Sequence, residues 1–324
     1  MEGAEHIELM ANLILTTKCQ RKCSYCFAQD DKNNGKELTW QNFLKAAKFV
    51  ATGPKIINIL GGEPTLHEKF IPILEYLIIN GFQIQVFTNG MLETELLTKL
   101  VKSLDTVIPN KDQLFFAINI NEERYRTKKE IALQTRFMET LRKLTYPSFT
   151  IHDKDTNLIF LQDLVEKYNL NPTIRLGMAM PIAGGGNKHL PVESYRDVAE
   201  NIIEFSQNSK GITITFDCGF PLCMFTLDEI GELSTDEKND FAFLCGQPLD
   251  IHPDLHVSNC YPLAKIHRVS IDELDTVDDA YKYFELGFMT PSGIYGEKCL
   301  GCTFFRKACF GGCKGFYIPS DKTN

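Results

Sequence analysis

No cysteine stands between Cys26 and Cys218, although the 324-residue chain carries 11 of them. An even scatter of core thiols is thereby excluded: three fall at Cys19, Cys23 and Cys26, and the other eight at Cys218, Cys223, Cys245, Cys260, Cys299, Cys302, Cys309 and Cys313. No basic segment leads into an apolar run at the acidic start Met1-Glu2-Gly3-Ala4-Glu5-His6, so a secretion signal is not expected. No apolar stretch reaches the roughly 18 residues of a membrane-spanning helix. Lys and Arg are scattered, and the net charge of -8 argues against a phosphate-binding surface. The expectation is a cytoplasmic chain with no nucleic-acid or membrane partner. In that setting structural disulfides are uncommon, and two separated groups of cysteine read as sites. There is no repeat at solenoid periods and no low-complexity tract. Gly184-Gly185-Gly186 lacks the following Lys-Ser/Thr of a phosphate loop and reads as a connector.

What is present, from Glu8 to about Phe216, is an alternation of strand-length apolar runs with segments of helical period, the pattern of repeated βα units on a parallel sheet. Strands are expected at Ile7–Thr16, Lys55–Leu60, Gln83–Thr88, Gln113–Ile120, Ser148–His152 and Thr173–Met180. Apolar residues three and four apart place helices at Trp40–Val50, Glu68–Ile79, Thr94–Ser103, Lys128–Leu144 and Asn157–Tyr168. Thr39 and Thr94 are candidate N-caps. A further helix is expected at Val192–Ser206 and a strand at Gly211–Phe216, before a region dense in Cys, Gly, Pro and Phe whose one clear helix is Asp272–Glu285. The fold class is α/β, with residues 1–210 as a core of six βα units and residues 211–324 as a smaller cysteine-rich domain held by metal more than by its own core.

Cys19-Gln20-Arg21-Lys22-Cys23-Ser24-Tyr25-Cys26 follows the first strand. Three thiolates at this spacing can hold three irons of a cubane and leave the fourth iron open to a ligand. A structural zinc site instead closes with four ligands; no fourth Cys or His is near in sequence, although His67 could approach in space. After the second strand comes Gly61-Gly62-Glu63-Pro64, a glycine pair that lets backbone approach a ligand closely, or simply a strand-to-helix turn opened by Pro64. Thr88-Asn89-Gly90 ends the third strand and Asn119-Ile120-Asn121 the fourth. The C-terminal edge of a parallel barrel sheet is where ligand sites gather.

The Cys-x3-Cys-x-Tyr-Cys loop is similar to the defining motif of the radical S-adenosylmethionine (SAM) superfamily, and the other segments resemble that family's along the whole partial (βα)6 TIM-like barrel. The resemblance implies a 4Fe–4S cluster on Cys19, Cys23 and Cys26, with SAM chelating the open iron. An electron passed through the cluster would break a carbon–sulfur bond to give methionine and a 5'-deoxyadenosyl radical, which abstracts hydrogen from substrate. Tyr25, Gly61, Gly62, Glu63, Pro64 and Thr88 are then expected at the cofactor, with Gly61–Pro64 receiving the SAM amino group. Asn119 takes the place where relatives usually carry a ribose-contacting Ser. A low-potential donor such as flavodoxin or ferredoxin is the implied electron source.

Cys299-x2-Cys302-x6-Cys309-x3-Cys313 resembles the auxiliary-cluster module called SPASM, found in enzymes that modify ribosomally made peptides and in anaerobic sulfatase-maturing enzymes; its usual middle gap is one residue shorter. Cys245 and Cys260, flanking the Pro253-Asp254 turn, look like the module's ligand-bearing hairpin, and Cys218 with Cys223 completes eight cysteines, enough for two further 4Fe–4S clusters. By the family pattern Cys245, Cys260, Cys313 and one upstream Cys hold the nearer cluster, and Cys299, Cys302 and Cys309 the outer one. Relatives take the last outer ligand from beyond the motif, but no Cys follows Cys313. Either Cys218 or Cys223 substitutes, or the outer cluster is incomplete or absent, leaving one auxiliary cluster. Spacing alone also allows a four-cysteine zinc ribbon from Cys299 to Cys313.

Arg175, His152 and Asp217 are weaker candidates for substrate or proton contacts, with structural roles as the plainer reading, and His252 and His256 fit solvent-facing positions; no catalytic acid or base is assigned. The resulting expectation is an enzyme acting on a ribosomally made peptide or protein side chain, by oxidation or cross-linking. Strand one is expected to begin near residue 7, and no separate leader-binding domain is expected ahead of it. A small-molecule or cofactor-precursor substrate, and a non-catalytic zinc or iron–sulfur binding protein, are the alternatives.

Overall fold

The computed structural model describes residues 10–29, 34–110, 112–182, 186–209, 211–217, 219–234, 243, 248–265, 267–287 and 293–317. Cys218, Cys245 and Gly184-Gly185 lie outside them. The elements run β1 (Met10–Ile14), α1 (Trp40–Val50), β2 (Ile56–Leu60), α2 (Phe70–Ile79), β3 (Gln83–Thr88), α3 (Thr94–Val107), β4 (Leu114–Asn119), α4 (Lys128–Leu141), β5 (Thr145–Ile151), α5 (Ile159–Tyr168), β6 (Thr173–Met178), α6 (Tyr195–Asn208), β7 (Thr213–Phe216), α7 (Leu227–Ser234), β8 (Leu249–Ile251), β9 (His256–Ser258), β10 (Val269–Ser270) and α8 (Val277–Gly287). The six expected βα units are therefore present in order.

Two compact units share the chain: one comprises Met1–Lys22, Ala28–Phe116 and Gly246–Met289, the other Cys23–Phe27, Ala117–Cys245 and Thr290–Asn324. In the first, β1 pairs parallel with β2, and β2 with β3. On the other side of β1, β8 pairs parallel with it, and β9 and β10 follow antiparallel. Helix α8, far along the chain, is tied back to this sheet, its Tyr281 hydroxyl donating to the Met10 carbonyl at 2.8 Å and its Val277 N–H to Thr52 at 3.0 Å. Alternation along β1 and β2 buries Ala11, Leu13, Ile57 and Ile59, while Asn12, Asn58 and Asp250 form a hydrogen-bonded row across β2, β1 and β8 (2.8 and 2.6 Å). In the second unit β5, β6 and β7 are parallel neighbours. Their core is one cluster running from Phe149 through Leu176, Ile202 and Phe216 to Cys313.

Local signals explain most boundaries. Thr39 caps α1, accepting from the Asn42 N–H, and the helix buries Phe43, Ala46, Ala47 and Val50 on one stripe. Thr94 does not cap α3: Glu93 holds that position without a side-chain bond and Thr94 is the first helical residue. The expected helix at Asp272–Glu285 splits into a 3-10 turn at Ile271–Glu273, closed by a Ser270/Glu273 capping box, and α8. Helix α7 was not expected from the sequence.

Candidate cofactor site and cysteine clusters

The cysteine loop and the segments at Gly61–Pro64, Thr88–Gly90 and Asn119–Asn121 follow or end β1, β2, β3 and β4. In the first unit the controlling side chain is Glu63, which is fully buried. Its carboxylate accepts from Thr65 Oγ1 (2.7 Å) and the Thr65 N–H (3.2 Å), from Thr88 Oγ1 (2.7 Å) and from the Asn89 N–H (2.7 Å). Burial pushes its pKa up, opposed by these donors, which favour the charged form. The carboxylate and the Thr88 hydroxyl are thus committed to tying the loops after β2 and β3 together.

The same loop is tied to the chain leading into the cysteine motif. Gly62 N–H donates to the Thr16 carbonyl and Glu63 N–H to the Lys18 carbonyl, both at 2.8 Å. A Cβ on Gly61 would stand 2.6 Å from the Thr16 oxygen, and one on Gly62 would collide with the Lys18 carbonyl. The glycine pair therefore has a structural requirement beside the ligand-facing one expected: it lets the backbone before Cys19 lie against β2's end. Pro64 opens the short 3-10 turn Pro64–Leu66, the turn expected of it. His67, considered as a fourth ligand, is spent: its Nε2 lies 2.8 Å from the Leu38 carbonyl and its Nδ1 accepts from the Lys69 N–H at 3.2 Å.

In the second unit Cys23 and Cys26 close a tight turn through a 3.2 Å backbone hydrogen bond. Between them Tyr25 is buried. Its hydroxyl donates to Asn121 Oδ1 at 2.7 Å and lies 3.3 Å from Asn119 Oδ1, just beyond and at the end of β4. Its ring stacks on His152, which follows β5, at 4.6 Å between centroids. The Tyr25 carbonyl accepts from Asn187 and the Ser24 carbonyl from the Lys188 N–H. His152 Nδ1 lies 2.9 Å from the Thr150 carbonyl, so that nitrogen carries the proton, and Tyr125 and Phe149 flank the ring. The plainer, structural reading of His152 fits. So does that of Arg175, whose Nη2 pairs with Asp217 at 2.6 Å and whose Nη1 donates to Ser148 at 3.3 Å. Near that pair, burial pushes the Tyr146 phenol up to about 12.

The sequence reading passed over Asn187 and the donor Thr65; nothing in their spacing signals the role. Helix α7 was signalled by Thr226-x-x-Glu229, a capping-box pattern that the structure completes: Thr226 Oγ1 accepts from the Glu229 N–H and Glu229 from the Thr226 N–H.

At the C-terminal motif, Cys299, Cys309 and Cys313 are buried while Cys302 and Cys223 are exposed. Tight turns shape it: Ile294 N–H donates to the Gly311 carbonyl (2.8 Å), Cys302 N–H to the Cys299 carbonyl (3.0 Å) and Arg306 N–H to the Cys309 carbonyl (2.8 Å). Gly311 and Gly312 hold φ of 76° and 86°, the left-handed region that favours glycine. Desolvation, then the nearby Cys309, Cys299 and Cys302 thiols, push the Cys223 thiol up to about 11. Among the described residues no three His, Cys, Asp or Glu side chains converge closely enough to hold a single metal ion.

Residues 13–151 match the model of the Radical SAM superfamily. The chain carries a radical SAM domain. Such a domain is built around a 4Fe–4S cluster and SAM, in keeping with the cysteine loop. Over 82 residues the chain is 39% identical to the S-adenosylmethionine-dependent nucleotide dehydratase of Selenomonas ruminantium, a match covering 25% of this chain and 30% of that protein. The chain thus spans less than a third of that relative's length. Among solved structures, Streptococcus suis SuiB bound to S-adenosylmethionine superposes with a TM-score of 0.67 at 18% identity, covering 95% of this chain and 73% of that one. Native anSMEcpe with bound AdoMet and Cp18Cys peptide gives 0.61 at 17% identity, covering 94% and 89%. At these identities the likeness is one of fold: α/β with a parallel, TIM-like radical SAM sheet, running on beyond the matched domain. No helix among the described residues is long and apolar enough to cross a membrane.

Proposed function

We propose that this protein is a radical SAM enzyme that cleaves SAM reductively and abstracts hydrogen from a peptide or protein side chain, leading to oxidation or a cross-link. The observation that carries the first half is Tyr25: buried between two cysteines of the motif, bonded at β4's end and stacked on His152, it ties Cys23 and Cys26 to the strands' C-terminal ends. When bound, the cluster and SAM supply the radical chemistry. The protein's share is to hold Gly61–Pro64 through Glu63, to place Asn119 and Tyr25 for the nucleoside, and to exclude water. In this reading residues 1–210 are the radical SAM core and residues 211–324 a SPASM-like domain for one or two auxiliary clusters, in a cytoplasmic protein served by a donor such as flavodoxin or ferredoxin.

The peptide half is supported by the similarity of fold to SuiB, also described bound to precursor peptide SuiA, and to the peptide-bound anSMEcpe. A small-molecule substrate is favoured instead by the 39% match to a nucleotide dehydratase, confined to 25% of the chain. The test is anaerobic reconstitution, reduction, and assay of 5'-deoxyadenosine with deuterated candidates: peptides encoded beside the gene in one arm, nucleoside triphosphates in the other. Deuterium in deoxyadenosine from a peptide supports the reading. Transfer from nucleotides alone moves the substrate to the second class, and stoichiometric zinc without SAM cleavage overturns the enzyme.

A further inference from the structure

We infer that Cys223 is the fourth ligand of the outer auxiliary cluster, completing a four-thiolate set with Cys299, Cys302 and Cys309. The inference rests on the iron–sulfur reading above and takes up one of the options that the cysteine spacing left open.

Three features of the second unit support it. First, the segment carrying Cys223 is docked on the motif: the Leu222 N–H donates to Cys309 Sγ at 3.4 Å, and the Cys223 thiol lies within electrostatic reach of Cys309, Cys299 and Cys302. Secondly, this segment is rigid. Phe220, Met224 and Phe225 on either side of Cys223 are buried, Phe220 stacks on Phe216 at 4.2 Å, and the Met224 carbonyl accepts from Arg196 of α6 at 3.1 Å. Between buried neighbours, Cys223 itself is exposed. Thirdly, Cys309 Sγ accepts from two backbone N–H groups, those of Leu222 and Gly311 (3.3 Å). Backbone donors aimed at sulfur stabilise a thiolate and tune a cluster held by it. One of those donors comes from the residue next to Cys223, so the turn Leu222–Met224 would serve the cluster twice, with a ligand and with a hydrogen bond. Two exposed and two buried thiols describe a cluster seated at the surface, where an electron partner can reach it.

The assignment is tested on the full-length chain, reconstituted anaerobically with iron and sulfide, by comparing Cys223→Ala, Cys309→Ala, the double variant and Cys218→Ala for iron, sulfide and Mössbauer spectrum. Cys223→Ala should lose the same iron as Cys309→Ala, up to about four per chain, and the double variant no more than either. Additive losses, or full iron in Cys223→Ala with loss in Cys218→Ala, would overturn it. A second measurement needs no substitution: Cys223, which is exposed, should be alkylated on prolonged reaction in the iron-free chain and become protected on reconstitution together with the exposed Cys302. Continued alkylation of Cys223 alone in the loaded protein sinks the assignment even if a variant fails to fold. SAM cleavage is followed alongside: its absence with this iron pattern intact removes the proposed activity and leaves the ligand set standing.

Discussion

The two groups of cysteines are held by different physics. On the N-terminal side the frame is made of side chains: in the first unit Glu63 gathers four donors from two loops, and in the second Tyr25 joins Cys23 and Cys26 to the ends of β4 and β5. Around Cys299, Cys302 and Cys309 the frame is made mostly of backbone turns and glycines, with the Cys299 and Cys309 thiols buried among them and Cys302 exposed. Gly293 shows how tightly: a Cβ there would overlap the Cys299 side chain. A side-chain frame keeps its shape when the cofactor leaves. A frame whose centre is thiols gains much of its stability from the metal it binds.

The comparison breaks most completely if the two groups respond alike to removal of their ligands. Replacing Cys19, Cys23 and Cys26 by Ala should reduce SAM cleavage to the level of the protein-free reaction while leaving the circular dichroism spectrum and melting temperature close to wild type. Replacing Cys299, Cys302 and Cys309 should instead lower the melting temperature and expose residues 293–317 to protease. Equal destabilisation by both sets would show that the N-terminal frame is no more preformed than the other. Next in size is the frame itself. Glu63→Ala leaves buried donors at Thr65, Thr88 and Asn89 without their acceptor, at about 1–3 kcal/mol each, and Gly62→Ala drives a methyl into the Lys18 carbonyl, an overpacking of about 1–3 kcal/mol. Urea unfolding of the two variants measures both, and wild-type stability would remove the staple from the account.

How far the sequence carried the reading follows the same division. Strands and helices of the six βα units were legible because each is a single apolar period that its own residues satisfy: Trp40–Val50 and Gln83–Thr88 come out with the bounds the pattern implies. The cysteine loop was legible because metal chemistry dictates its spacing. What stayed hidden depends on partners far along the chain. Nothing local in Leu249–Ile251 says that these three residues pair with β1, more than two hundred positions earlier, and nothing in Glu63 says that it faces threonines and a loop amide. Strand ends were overrun, as at Thr173–Met180 against β6 ending at Met178, since apolar residues continue past the last ladder bond. Helix α7 was missed because its acidic composition masked a capping box that decides its start.

A smaller effect sharpens the first half of the comparison. Tyr25→Phe keeps the ring on His152 and removes only the hydroxyl that reaches Asn121, leaving a buried acceptor unpaired at about 1–3 kcal/mol. If that cost appears as misplacement of Cys23 and Cys26, SAM cleavage falls by roughly tenfold, since 1.36 kcal/mol in a barrier is one decade of rate. The iron content should not change. Single-turnover deoxyadenosine formation read against iron per chain separates the two: a loss of iron in proportion to activity would make Tyr25 a folding residue of the cluster loop and not a positioning one.

The smallest expected effect tests the side-chain frame beside Cys223. Arg196 of α6 holds Glu229 of α7 through both carboxylate oxygens, at 2.6 and 2.5 Å, and the Met224 carbonyl beside Cys223. The Arg196 guanidinium holds the Glu229 carboxyl down to about 2. A folded pKa below the unfolded one contributes stability that is fully present above the unfolded value of about 4.5 and is lost as pH falls through the folded value near 2. Because the pair is partly solvated, solvent screening reduces the contribution to about 1 kcal/mol. Glu229→Gln should therefore lower stability by that amount at neutral pH, and the difference from wild type should shrink below pH 4.5 and vanish near pH 2, which paired urea titrations would show. A difference independent of pH would mean that Glu229 acts through its capping bond to Thr226, and that the turn bearing Cys223 owes nothing to the charge on α6.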